Sequence, residues 1–501
     1  MPEVNTAYGR VRGQEQAGIH IFRGLPYARP PVGELRFAAP APPERWDGVR
    51  DAVAFGPAAP QAAFAGRPAA ASAGDDWLTL NIWTPAVHND GLPVFTWIHG
   101  GAYRSGSSSQ PGYDGTALAQ HGMVVVTCNY RLGVEGFAQL ADAPANRGLL
   151  DVVAALRWIA ENVRAFGGDP ANVTVAGESA GAGLVAALLA MPSADGLFSH
   201  AIVSSLPGTF LSTELAADVA SEIGAEAGVG PAERQTFAKL PPSELSAAGD
   251  AVGARMSSFS RWGQLALCDT MYSPVVDGEV LPRAPWRAVM DGASRGVRLL
   301  IGHTRDEYRI FLAMSGRLDK ITEQDTSALL EAFAPSPSKY RFAYPSLSAA
   351  DLYERLYSDW LFRMPTLHLA QAHAVGGGTA YLYELTCPAP AAPELGSCHS
   401  LDVPMVFGVS DPNGISGQII GQTPGESFTA LSDLMRSEWA SFAATGSPGW
   451  EPYTAAHRTA RVYGDPASAG PYPEHTSMHL WERHVFEALP LLPDLYSRFP
   501  S

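Results

Sequence analysis

The chain has 501 residues, of which 46% are hydrophobic and 17% charged, and its 34 Lys and Arg against 50 Asp and Glu give a formal charge of −16. Such a composition excludes disorder over most of the length, and an acidic balance without a basic run excludes a nucleic-acid binder. The longest apolar stretch, 180–191, has twelve residues, short of the about 18 needed to cross a membrane.

The polar residues 1–13 carry no apolar segment, so no secretory signal is expected. Cys128, Cys268, Cys387 and Cys398 are too few for a disulfide scaffold, and no CxxC or HExxH string marks a metal site. A cytoplasmic enzyme without metal or cofactor is expected. Glycine and proline are spread out, with no fixed-period repeat, and nothing separates independently folding units. Residues 1–501 therefore read as a single domain.

In chain order, 55–74 is rich in Ala, Pro and Gly and reads as a surface loop. Short apolar runs at 94–98 and 123–127 predict strands, and 149–165 carries the stripe Leu149, Val152, Val153, Leu156, Ile159 and Val163 of an amphipathic helix. Strands follow at 173–176, 201–203, 297–301 and 381–383, with an apolar helix over 180–191 and a proline-rich loop over 386–396. Continuous apolarity with glycines at the exits suggests strands buried on both faces, as in a parallel sheet. Alternation of such strands with helices argues an α/β fold. Two segments with helical periodicity, about 206–270 and 310–375, read as insertions over one end of the sheet.

Gly177-Glu178-Ser179-Ala180-Gly181 lies between the predicted strand ending at Ala176 and the apolar helix. In that setting a Gly-x-Ser-x-Gly string has a mechanism. The serine occupies a strained tight turn, and the flanking glycines let strand and helix approach closely. The hydroxyl then sits at a helix N-terminus, where the free N–H groups favour negative charge. His99-Gly100-Gly101-Ala102-Tyr103 follows the strand at 94–98. Its side-chain-poor backbone is suited to donating N–H groups to an oxyanion, with Gly101, Ala102 and Ala180 as the natural donors.

A serine nucleophile needs a base, and the base an orienting acid; behind such an elbow they follow in the order Ser, acid, His. Arg305-Asp306-Glu307 follows the strand at 297–301, and His399 lies between Cys398 and Ser400 after the proline-rich loop. Spacing does not choose between Asp306 and Glu307, and His303 competes with His399 as base.

The chain resembles the type B carboxylesterases, the family that includes bacterial p-nitrobenzyl esterases and the cholinesterases. The resemblance starts at Phe22-Arg23-Gly24-Leu25-Pro26-Tyr27-Ala28 and continues through Leu78-Thr79-Leu80-Asn81-Ile82-Trp83 and Asn129-Tyr130-Arg131-Leu132-Gly133. It is densest from Asn146-Arg147-Gly148-Leu149-Leu150-Asp151 to Gly181, and ends with Trp439-Ala440-Ser441-Phe442-Ala443. It implies an α/β-hydrolase fold, a central mostly parallel sheet flanked by helices, with helical insertions over the active site. It implies Glu307 as the acid, His399 as the base in a Gly-x-x-His turn starting at Gly396, and oxyanion donors at Gly101, Ala102 and Ala180. It also places a supporting serine at Ser205. Two departures stand out. Trp77 replaces the cysteine of an N-terminal disulfide, and Leu206 replaces the glycine usual after the supporting serine. No cluster matches a choline site.

The expected function is hydrolysis of neutral short- to medium-chain alkyl and aryl esters through an acyl-enzyme on Ser179. Glu178 either shapes the alcohol pocket electrostatically or serves as a buried structural carboxylate. The alternatives are a specialised esterase for a polycarboxylate natural product or aromatic diesters and, more remotely, a non-catalytic binding protein. The expected partner is a small-molecule ester, with no nucleic acid or membrane, and the expected state is a monomer. Activity should rise with pH through an ionisation near ~6.5, because only neutral imidazole acts as base. The net charge disfavours anionic substrates unless Arg104, directly after the oxyanion loop, turns into the site.

Overall fold

A computed structural model describes residues 1–61, 74–88, 91–409, 411–412 and 414–493. The loop expected at 55–74 lies outside the described residues from 62 to 73; its described ends form neither helix nor strand.

An 11-stranded sheet organises the chain. Its strands are β1 (Gln14–Gln16), β2 (Ile19–Pro26), β3 (Thr79–Thr84), β4 (Leu92–Ile98), β5 (Val124–Cys128), β6 (Gly168–Glu178), β7 (His200–Ser204), β8 (Arg298–Thr304), β9 (Thr379–Leu385), β10 (Thr459–Tyr463) and β11 (Ser468–Pro471). They lie in the order β11-β10-β9-β8-β7-β6-β4-β5-β3-β2-β1. Every pairing from β10 to β5 is parallel, while β11, β3, β2 and β1 add antiparallel edges. All six strands read from the sequence belong to the parallel core.

The continuous apolar runs of these strands feed two cores, one on each face. In β4, Val94 and Ile98 pack into one cluster and Phe95 and Trp97 into the other; β7 divides Ala201 and Val203 from Ile202 in the same way. This is the period of two expected of a strand covered on both sides. On the first face lie α1 (Arg147–Asn162) and α2 (Ala180–Ala190). Leu149, Val152, Val153, Leu156 and Ile159 of α1 are buried as the stripe requires. The helix tightens into a 3₁₀ turn and ends at Gly167, whose φ of 87° is left-handed. Arg131 and Asp151, both fully buried, pair at 2.8 Å and tie the loop after β5 to α1.

The two helical segments are present. The first contains α3 (Thr213–Glu226) and α4 (Pro242–Gly253), the second α5 (Arg309–Met314), α6 (Ala349–Ser358) and α7 (Met364–Val375). One boundary is corrected. α7 packs against β8 and β9, so the end of 310–375 is the crossover helix of the sheet and not part of the cover. The second face of the sheet carries α8 (Asp402–Phe407) and α9 (Glu426–Thr445). Among the described residues no helix is long and apolar enough to cross a membrane.

Register aligns the functional segments. Ile98 pairs with Gly177, Glu178 with Ser204, and Ser204 with Gly302. The loop 99–103, Ser179, Ser205 and Glu307 thus leave one edge of the sheet, at the C-terminal ends of adjacent strands.

Candidate active site

Ser179 caps α2 with φ 56° and ψ −124°, a conformation that L residues rarely hold. The turn is this tight because strand, helix and the loop 99–103 nearly touch. A Cβ on Gly177 would sit 2.5 Å from the Gly181 carbonyl carbon, and one on Gly181 would collide with the Ile98 carbonyl oxygen. Ala102, Tyr103, Ser205 and Ser400 also hold positive φ, at 55°, 59°, 54° and 66°. Five strained non-glycine residues therefore surround one site, each at a cost of about 1–3 kcal/mol.

His399 completes the site from across the sheet edge. Its Nδ1–H donates to Glu307 Oε2 at 2.6 Å, which leaves Nε2 as the ring nitrogen not held by that carboxylate. Nε2 makes no well-aligned hydrogen bond among the described residues, its near polar neighbour being Glu178 Oε1 at 3.1 Å. Phe362 and Phe311 hold the imidazole, with ring centroids 4.4 and 5.2 Å away. Glu307 is fully buried, and its Oε1 accepts from Ser205 Oγ at 2.6 Å and from the Thr304 N–H at 2.9 Å. Burial alone would raise its carboxyl, but His399 and the Ser205 hydroxyl outweigh that and hold it below its usual range.

The residues between which spacing did not choose lie in different surroundings. Asp306 does not face His399. It exchanges backbone and side-chain hydrogen bonds with Ser397, at 2.9 and 2.8 Å, and so docks the histidine loop onto the end of β8. His303 is buried away from the cavity, with Nδ1 2.8 Å from the Thr304 carbonyl and Nε2 2.8 Å from Tyr472 OH. Desolvation lowers it to about 4.

Ser179, His399, Glu178, Gly101, Ala102 and Ala180 all line one cavity of about 450 Å³. Among the described residues, the N–H groups of Gly101 and Ala102 donate to no protein acceptor. That of Ala180 opens α2, where no intrahelical partner exists. Thr270 Oγ1 steadies the loop by donating to the Ala102 carbonyl at 3.0 Å.

Glu178 is buried beneath the elbow, its Oε1 3.1 Å from His399 Nε2 and bonded by Ser400 Oγ. Desolvation raises its carboxyl. Burial would lower His399, yet Glu178 and Glu307 together push it above the ordinary histidine value. Both carboxylates favour the imidazolium and so an ionisation above the ~6.5 of an ordinary histidine.

Sequence reasoning missed several neighbours. Asp402, three residues after His399, is buried and accepts from Ser204 Oγ and, at 2.9 Å, from Tyr383 OH. Its place in the first turn of a helix directly after the histidine was the available signal. Phe362 carried none, because it reaches the ring from a π-helical turn, Asp359–Arg363. Arg104 lines no part of the cavity and pairs with Asp250 of α4 at 2.7 Å. Leu206 packs into the core, and Pro207 and Thr209 form that part of the wall. Trp77 is buried, with its indole N–H on the Gly74 carbonyl at 2.8 Å, and all four cysteines are free thiols.

The model of the Carboxylesterase family matches residues 1–468. The chain is 36% identical over 461 residues to the para-nitrobenzyl esterase of Bacillus subtilis (strain 168), covering 89% of this chain and 91% of that one. It is also 36% identical over 461 residues to the fumonisin B1 esterase of Sphingopyxis macrogoltabida, covering 89% and 82%. Among solved structures, a Geobacillus stearothermophilus carboxylesterase superposes with a TM-score of 0.85 at 37% identity, over 96% of this chain and 99% of that one.

Proposed function

The chain belongs to the carboxylesterase family, and from that premise we propose that Ser179, His399 and Glu307 carry its ester hydrolysis as nucleophile, base and orienting acid. One observation carries the assignment. A serine strained at the strand–helix elbow shares a cavity with an imidazole whose far nitrogen is held 2.6 Å from a buried carboxylate.

The steps follow from the geometry. As Ser179 Oγ attacks the ester carbonyl, its proton passes to His399 Nε2. The charge that develops on the carbonyl oxygen is received by the N–H groups of Gly101, Ala102 and Ala180. Glu307 stabilises the imidazolium, and Ser205 holds Glu307 in place. The imidazolium then protonates the leaving alcohol, and water repeats the sequence on the acyl-enzyme. Glu178 adds a second carboxylate beside the imidazolium and anchors the histidine turn through Ser400.

The substrates proposed are short- to medium-chain alkyl and aryl esters, which suit a cavity of about 450 Å³ with Ile310, Phe311, Leu361 and Phe362 along one wall. Esters with an aromatic alcohol part also agree with the name of the para-nitrobenzyl esterase of Bacillus subtilis. A polycarboxylate substrate is not favoured, because no Lys or Arg is among the described lining residues. A non-catalytic role is not favoured where the full set of catalytic groups is present. We further propose a monomer, built as one domain under a helical cover. Four free thiols support a reducing, cytoplasmic setting.

The test is labelling by a fluorophosphonate probe together with hydrolysis of p-nitrophenyl esters from acetate to palmitate. Ser179→Ala should abolish labelling and lower kcat by about 10⁴-fold or more while the protein stays folded. Residual activity of a few per cent in a clean preparation would remove Ser179 as nucleophile.

A further inference from the structure

A buried cluster of charges packs against the segment that carries Glu307. Its centre is the π-helical turn Asp359–Arg363, in which the Met364 N–H donates to the Asp359 carbonyl five residues back. Such turns are frequent at functional sites. Leu361 and Phe362 of this one line the cavity, whereas Asp359 and Arg363 are buried among the charges.

The turn bears on both halves of the His399–Glu307 pair. Phe362 lies against the imidazole, with ring centroids 4.4 Å apart. Just before the turn, Ser358 Oγ accepts from the Tyr308 N–H at 2.9 Å. At its end, Arg363 Nη1 donates to the Arg305 carbonyl at 3.4 Å. Residues 305 and 308 flank Glu307, so the turn grips the backbone of the acid from either side while its own phenylalanine seats the base.

Arg363 is in turn held from near the end of the chain. Its Nη2 lies 2.7 Å from Glu474 Oε2 and its Nε 3.2 Å from Asp359 Oδ1. Glu474 also pairs with Arg355 at 2.8 Å and with Arg305 at 3.5 Å. One carboxylate thus joins α6, the π-helical turn and the residue two before Glu307. Asp359 accepts from Tyr340 OH and from Ser477 Oγ of the helix His475–Trp481. Burial would raise the Glu474 carboxyl, but Arg363 and Arg355 outweigh it and hold it well below the usual range. If the Glu474–Arg363 pair is loosened, the turn is free to shift, and acid and base shift with it. A displacement of about 1 Å in such a constellation can cost about 10²-fold in rate.

We propose that Arg363, held by Glu474, is a positioning residue of the ester hydrolysis: it fixes the turn that seats Phe362 on His399 and ties down the segment bearing Glu307. The inference rests on the esterase reading above and adds the support that keeps its acid and base in register.

The experiment measures kcat per active site, counted by fluorophosphonate titration, with p-nitrophenyl butanoate as substrate. Glu474→Gln keeps an acceptor and removes the charge. Its kcat should fall about tenfold while KM stays within about twofold. Glu474→Asp, which keeps the charge on a shorter stem, should recover part of that loss. Glu474→Gln and Phe362→Leu should combine to less than the product of their separate effects, because both act on the same ring. Asp151→Ala, whose buried partner Arg131 lines no part of the cavity, is the control for lost stability alone and should keep its kcat. Should Glu474→Gln not fold, Glu474→Asp supplies the test, with kcat lowered about threefold at unchanged KM. Wild-type kcat in the folded Glu474 variant, a fully multiplicative loss with Phe362→Leu, or an equal loss in Asp151→Ala overturns this inference and leaves the esterase reading standing. A wild type that neither hydrolyses the ester nor takes the probe overturns both.

Discussion

Glu178 Oε1 lies 3.1 Å from His399 Nε2, on the opposite side of the ring from the nitrogen that Glu307 holds. The proposed base is thus bracketed by two buried carboxylates. Both stabilise the imidazolium, which helps the transition state but also favours a protonated resting histidine. A group raised in this way becomes a competent base only as pH rises through its elevated pKa. The rising limb of kcat/KM against pH should therefore lie above the ordinary histidine value. Glu178→Gln, which removes one carboxylate, should move it down by about one unit or more. A limb at the ordinary value in the wild type, unmoved by the substitution, would show that Glu178 does not act on the base.

His303 and His399 are predicted to behave in opposite ways. His399→Ala should match Ser179→Ala in lost activity. His303→Gln should retain most activity, because His303 bonds Thr304 and Tyr472 and does not face the cavity. Its effect belongs to stability. A histidine lowered to about 4 stays neutral in the folded state while the unfolded chain protonates near ~6.5. Its contribution is thus fully present above ~6.5 and is lost as pH falls toward 4. His303→Gln should flatten the dependence of unfolding free energy on pH in that window, measured by urea denaturation. An unchanged slope would mean that another group governs it.

Asp151→Ala should destabilise strongly without touching the chemistry. It leaves the fully buried Arg131 guanidinium without its partner, and breaking a buried pair in this way costs about 3–5 kcal/mol. Thermal melting checks this. A loss below about 1 kcal/mol would mean that Arg131 finds solvent or another acceptor.

The legible parts of the fold and the site share a physical cause. The six strands read from the sequence are buried on both faces, so their apolarity is unbroken. β3 is just as buried but was missed, because Thr79, Asn81 and Thr84 interrupt its pattern. Their polar groups are satisfied inside the fold: Asn81 Nδ2 donates to Ser108 and Thr127, and Thr84 Oγ1 to the Phe166 carbonyl. Ser179 was legible because its turn is local, with the needed glycines two residues either side. The proposed acid and base were not separable from their neighbours, since Glu307 and His399 are 92 residues apart and meet through the pairing of Asp306 with Ser397. Such pairing leaves no periodic trace. The shift of His399 was equally hidden, because it arises from two carboxylates brought together only by the sheet edge.

The final prediction concerns anionic substrates. From net charge alone, a free carboxylate on the ester is unfavourable, and Arg104 was the one residue able to reverse the preference. In the structure its guanidinium is committed to Asp250 at 2.7 Å and contributes nothing to the cavity wall. Glu178 stands beside the proposed base and Asp269 farther along the wall, so a substrate carboxylate meets like charge at both places. A neutral diester should therefore be cleaved with kcat/KM at least about tenfold higher than its monoacid product, since one uncompensated like-charge contact in a partly desolvated site costs about that much. The ratio should be nearly the same in Arg104→Ala. Steady-state kinetics of both compounds in the two proteins, at low and high salt, is the measurement. A monoacid that outperforms the diester in the wild type and loses its advantage in Arg104→Ala would mean that the Asp250 pair opens in solution to make an anion site.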